Sequence, residues 1–205
     1  MKLSEYLKNV VPGDMILVEH PSISLVPKVF HVITGAIGRD NIILLDILDG
    51  ILSIKKELEL EGLDVSYLEK APRLTGSGRS KWGNVIGSID VHSDPGIFLS
   101  KFERFSREYY SKHPGVNSII VNPERVIPLH GMNPRLVLSM ADLAAVFLGN
   151  RNRSVYYFIN HETADGRYLC LLEEIFTRVL RLDGEKLTVE KSPNAGEEGL
   201  ELEIG

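Results

Sequence analysis

The sequence predicts an α/β fold: a mostly parallel central sheet with helices on both faces, extended at one edge by an antiparallel hairpin. Three observations predict it. Short apolar runs alternate with longer amphipathic ones along most of the chain. The short runs, such as Ile42-Ile43-Leu44-Leu45 and Ser118-Ile119-Ile120-Val121, are apolar at consecutive positions, as strands buried on both faces are. Two further apolar stretches flank Asp183-Gly184-Glu185 near the C-terminus, and a turn at Asp-Gly joins antiparallel strands.

The elements follow in order. Residues 1–10 suit a short helix with Leu3, Tyr6, Leu7 and Val10 on one face, ended by Pro12-Gly13-Asp14. Residues 15–18 read as a first buried strand and 25–37 as a helix, with Pro27 tolerated because it stands near the start. A second strand is expected at 41–45, a helix at 51–60 stopped by Gly62, and a third short strand at 65–68. Residues 71–87 hold Pro72, Gly76, Gly78, Gly83 and Gly87 and are expected to form an irregular loop. Asp94-Pro95 and Asn133-Pro134 each place a capping side chain before a proline, opening helices over 95–112 and 134–148. Strands at 118–121 and 155–159, a short helix at 169–176 and the hairpin of 179–182 with 187–189 complete the pattern. The tail at 200–204 alternates apolar and acidic residues and suits an edge strand with a solvated face or one that pairs with another chain.

With 205 residues, a single domain over 1–205 is expected. A content of 43% hydrophobic and 25% charged residues is that of a globule rather than a disordered chain. The net charge of −5 gives no basic field for nucleic acid; Arg73, Arg79 and Lys81 form the one local cluster of that kind. Cys170 is alone, so no intramolecular disulfide forms, and its apolar neighbours suggest a buried small hydrophobe. No signal peptide and no membrane-length apolar run is evident, so the expected location is the cytoplasm.

Several stretches carry a family resemblance. Residues 11–18 (Val-Pro-Gly-Asp-Met-Ile-Leu-Val) resemble the first strand of the RecA superfamily, and especially of its archaeal KaiC-like branch. Residues 153–161 resemble the strand that ends near the nucleotide in those proteins, and 171–182 the segment after it. Residues 185–193 (Glu-Lys-Leu-Thr-Val-Glu-Lys-Ser-Pro) resemble the closing hairpin strand. The chain also resembles a small family of unknown function from Pyrococcus and Thermococcus that is related to these ATPases. The resemblance covers about residues 10–192 and implies a RecA-like three-layer α/β/α fold.

It also implies a phosphate-binding loop, Gly-x-x-x-x-Gly-Lys-Ser/Thr, after the first strand. There the glycines bare backbone N–H groups, the lysine reaches the phosphates and the hydroxyl holds magnesium. The equivalent segment lies within residues 19–27, and all four key positions are changed. His20 and Leu25 stand for the glycines, Val26 for the lysine and Pro27 for the hydroxyl; no glycine occurs between Gly13 and Gly35 to permit another register. Asn122 stands where the superfamily places a magnesium-orienting aspartate, with a turn residue before Pro123 as the plainer reading. Asp46 and Asp49 fall near the family's catalytic glutamates, with helix capping by Asp49 as the plainer reading.

ATPase activity and a bound cofactor are therefore not expected. A protein- or peptide-binding or self-associating module is the leading expectation. The alternative is a ligand-binding protein or enzyme with a relocated site at the C-terminal ends of the strands, lined by Asp46, Asp49, Asn122 and His161. The loop Thr75-Gly76-Ser77-Gly78-Arg79-Ser80-Lys81-Trp82-Gly83 suits a mobile surface loop better than an anion site. No metal is expected, because the six histidines are scattered without an i, i+4 pair.

Overall fold

The structure is a computed structural model that describes residues 1–205. The strands are β1 (Met15–His20), β2 (Ile42–Ile47), β3 (Pro72–Gly76), β4 (Asn84–Ile89), β5 (Val116–Val121), β6 (Arg153–Asn160), β7 (Arg178–Asp183), β8 (Lys186–Lys191) and β9 (Glu201–Leu202). The helices are α1 (Leu3–Tyr6), α2 (Val26–Ile37), α3 (Gly50–Leu60), α4 (Ser66–Lys70), α5 (Pro95–Lys112), α6 (Val126–Leu129), α7 (Pro134–Ala145) and α8 (Gly166–Ile175).

The nine strands make one sheet in the order β4-β3-β2-β5-β6-β1-β7-β8-β9. The first seven positions are parallel, while β8 and β9 run antiparallel at the far edge. Alternation along each strand sends side chains to two cores. Met15, Leu17, Leu45, Ile120 and Tyr157 face α5, α6, α7 and α8. Ile16, Val18, Leu44, Ile119 and Phe158 face α1, α2, α3 and α4. No helix is long and apolar enough to cross a membrane.

The capped helices begin where local chemistry places them. The Asp94 carboxylate accepts from Gly96 N–H at 2.9 Å and Asn133 Oδ1 from Arg135 N–H at 2.9 Å, which satisfies donors the helix itself leaves open.

Three expectations are corrected. Residues 65–68 do not form a strand: the Asp64 carboxylate accepts from Ser66 N–H at 2.9 Å, and α4 begins there. The stretch 71–87 is not an irregular loop, for it contains β3 and most of β4. Gly76 serves packing instead, since a Cβ there would lie 2.7 Å from Ile47 Cδ1. Cys170 is exposed rather than buried, because α8 buries Tyr168 and Leu172 and a residue two positions past Tyr168 points the other way at 3.6 residues per turn.

The two chain ends meet beside β8. Leu3 N–H donates to Glu203 O and Glu203 N–H to Met1 O, each at 2.9 Å. Buried Arg178 ties them to the sheet through Asp14, Tyr6 Oη and Glu197, the last at 2.8 Å.

Candidate functional site

In open α/β sheets, ligands bind beyond the carboxyl ends of the strands where the strand order reverses. Here the order reverses between β2 and β5 and again between β6 and β1; the ends of β5, β6 and β1 carry Asn122, Asn160 with His161, and His20. His20 and Asn160 are register partners, and His161 N–H donates to His20 O at 3.0 Å. Asn122 follows β5 with φ 54°, ψ 45° and donates its backbone N–H to Phe158 O at 2.9 Å. His20, Asn122 and His161 are thus brought to one end of the sheet.

The segment after β1 is bonded to the protein's own side chains. Ser22 N–H donates to Glu162 Oε2 at 2.8 Å, and Asn160 Nδ2 donates to Ser22 Oγ at 3.0 Å. Ser24 Oγ donates to Pro21 O at 3.1 Å. The bonds from Ser22 hold the Glu162 carboxyl below its ordinary range. His20 Nδ1 donates to Pro21 O at 2.9 Å, and burial lowers the pKa of the ring. Leu25 immediately precedes α2, and Pro27 in its first turn adds no N–H donor.

The two aspartates lie further along the sheet and work differently. Asp46 and Arg73 are fully buried and joined at 2.7 Å. The second Asp46 oxygen accepts from Ile51 N–H at 2.9 Å, at the start of α3. Burial raises the Asp46 carboxyl even with Arg73 beside it. Arg73 also donates to Trp82 O at 2.7 Å and stacks its guanidinium 4.0 Å from the centre of the Trp82 ring. Asp46 therefore sits beneath α3, buried against Arg73.

Asp49 stands at φ 59°, in the left-handed region, directly after Leu48 at φ 51°. This turn aims its carboxylate at the loop between β3 and β4. It accepts from Arg79 N–H at 2.7 Å, from Ser80 N–H at 3.1 Å and from the Ser80 hydroxyl. Burial alone would raise this carboxyl, but the bonds from Ser80 and Arg79 hold it below its ordinary range. Gly78 permits the approach, since a Cβ there would lie 2.3 Å from Asp49 Oδ1. The loop is thus an anion-binding turn whose anion is the chain's own Asp49.

Asp49→Asn keeps a side chain that tolerates the left-handed backbone but removes the charge. It is expected to cost about 1–2 kcal/mol, the scale of charged hydrogen bonds partly retained. Tryptic cleavage after Arg79 and Lys81 should accelerate in the native protein; equal cleavage rates would show that Asp49 does not hold the loop.

Glu124 is the residue that sequence reasoning missed. It is fully buried in the short turn after Asn122. Its Oε1 accepts from Asn160 N–H at 3.3 Å, while Oε2 has no hydrogen-bond partner. Burial pushes its carboxyl up to about 7. Asn122 Oδ1 is likewise buried and without a partner. The available signal was position alone, two residues past Asn122 at the end of a central strand. No group of three or more His, Cys, Asp or Glu side chains is arranged to hold a metal ion.

Strand order and the terminal hairpin define an α/β fold of the RecA/KaiC-like kind. Three solved structures from Pyrococcus horikoshii share the fold. The protein of structural project PH0250 has 22% identity and a TM-score of 0.82, with 100% of this chain and 98% of that one covered. The uncharacterized protein PH0321, crystallised in complex with an unknown peptide, has 16% identity and a TM-score of 0.58, covering 97% and 95%. The KaiC-like protein PH0186 has 12% identity and a TM-score of 0.57, covering 97% and 88%. The chain belongs to the family described as Pyrococcus protein of unknown function, DUF257, whose model matches residues 5–203. No curated protein matches it.

Proposed function

We propose that this chain is a non-catalytic RecA/KaiC-like module that binds a protein or peptide segment, or a copy of itself, in place of hydrolysing a nucleotide. One observation carries the reading: the backbone N–H groups of the segment after β1 and of the β3–β4 loop are bonded to the chain's own carboxylates. Glu162 takes the Ser22 N–H of the segment after β1, and Asp49 takes the N–H groups of Arg79 and Ser80. Leu25, Val26 and Pro27 add bulk without charge at the helix start. The unknown peptide bound to the similarly folded PH0321 lends the partner class support. The same reading places the chain in the cytoplasm, without a cofactor. Calorimetric titration with ATP and magnesium should give no binding heat, while a peptide array should give saturable ligands. Micromolar ATP binding would overturn the proposal.

A second reading rests on Glu124. A buried carboxyl near pKa 7, with one oxygen free and the other bonded to Asn160 N–H, suits a small ligand or a proton-transfer site at the strand ends. It predicts ligand affinities that change with Glu124→Gln and stay fixed with Glu162→Gln.

A further inference from the structure

The two edges of the sheet are treated differently. Beyond β8 and β9, the chain's own N-terminus covers the edge through Met1 and Leu3. At the opposite edge, β4 pairs only with β3, and no other segment bonds its far side. Asn84, Val85, Ile86 and Ser88 are exposed, Val85 by 48% and Ile86 by 39%. Successive residues of a strand turn their N–H and C=O groups to opposite sides. Since the Ile89 carbonyl serves Ser77 N–H on the β3 side, the amide and carbonyl of Ser88 face outward.

The two faces beside this edge differ in chemistry. On one, Val85 borders a groove formed with Arg79, Lys81 and Trp82. Arg79 and Lys81 are exposed and enter no ion pair. The nearby Glu69 is already paired with Lys55 at 2.9 Å. On the other face, Ile86 borders a groove with Phe105, Tyr109 and His113. Its rings are stacked, Tyr109 on His113 at 4.1 Å and Phe105 on Tyr109 at 5.9 Å. Its Lys112 is neutralised by Glu108 at 2.6 Å. The register skips Ile86 where β4 passes Arg73 and Leu74, and this bulge places Ile86 in the aromatic groove beside Gly87.

We propose that β4 is a docking edge for an extended segment of a partner protein in which acidic and apolar side chains alternate. The inference rests on the peptide-binding reading above and names its surface. A strand added to β4 sends alternate side chains to opposite faces. One set meets Arg79 and Lys81 and is acidic; the other meets Ile86, Phe105 and Tyr109 and is apolar. Backbone bonds to the open edge supply register, and the two grooves supply selectivity.

The test uses the full chain and its single tryptophan, Trp82, as reporter. A capped peptide of alternating valine and glutamate should change Trp82 fluorescence saturably. The affinity should fall at least about tenfold with R79E/K81E, as reversal of two rim charges implies. It should also fall with N-methylation of alternate peptide amides, and an alternating valine–lysine peptide should bind R79E/K81E better than the wild type. These two substitutions are exposed and spare the core, so folding is kept; Ile86→Pro tests the edge separately. If array-selected peptides bind but ignore both R79E/K81E and Ile86→Pro, the edge proposal fails while the peptide-binding reading survives. If no peptide binds, both fail. A wild-type dimer that R79E/K81E dissociates, with no peptide response, would replace the partner segment by a second copy of this chain and overturn the proposal.

Discussion

Arg73→Met is expected to lower the unfolding free energy by about 3–5 kcal/mol at pH 7, because it leaves one member of a buried ion pair alone. Both side chains are fully buried at 2.7 Å separation. Methionine fills much of the volume but cannot neutralise Asp46, nor donate to Trp82 O. Asp46 would keep only the Ile51 N–H. The loss should appear as a lower denaturant midpoint at an unchanged slope. It should shrink toward acid pH, where Asp46 takes a proton and no lone charge stays buried. The double variant Asp46→Asn with Arg73→Met should recover part of the loss, since it buries no charge at all. A cost for Arg73→Met below about 1 kcal/mol, the scale of an exposed pair, would remove this pair from the account of what holds β2, β3 and the Trp82 loop together.

Glu124→Gln should stabilise the protein above neutral pH. Burial raises the native carboxyl from 4.5 to about 7. Between these values the folded state holds a proton that the unfolded state has lost, so stability falls as pH rises through that window. Above about pH 7 the penalty is complete and constant. Glutamine removes it while retaining an oxygen for Asn160 N–H. The variant should therefore match the wild type near pH 4 and exceed it by up to about 3 kcal/mol at pH 8, at 1.36 kcal/mol per pKa unit. Glu19 is also raised by burial, against the pull of Arg181, but it is present in both proteins and cancels in the difference. Parallel stability curves from pH 4 to 8 would show that Glu124 carries no strain.

The legible parts of the fold were those written in neighbouring residues. Asp94-Pro95 and Asn133-Pro134 marked two helix starts because capping is local, and Asp183-Gly184 marked the hairpin for the same reason. β3 and β4 were hidden. β3 begins with Pro72, ends with Gly76 and buries Arg73, a charge made tolerable by Asp46, 27 residues earlier. β4 is a largely exposed edge and carries no apolar run. Residues 65–68 suggested a strand through Val65 and Tyr67, but four residues cannot separate a strand from one helical turn. At the site, the sequence shows that His20, Leu25, Val26 and Pro27 after β1 offer neither a glycine nor a cation. What occupies the loops was not legible there, because Glu162 reaches Ser22 across 140 residues and Asp49 reaches Ser80 across 31.

Those two carboxylates can be weighed as tethered competitors. A group held on a short tether faces its site at an effective concentration in the millimolar range, and Glu162 is held closer than a flexible tether allows, since its neighbour His161 is bonded to His20. A free phosphate group must displace an anion that never diffuses away, and must leave that anion a place in water. Building an anion site in either loop would thus begin by removing an acid, at Glu162 or Asp49, before any lysine or glycine is introduced.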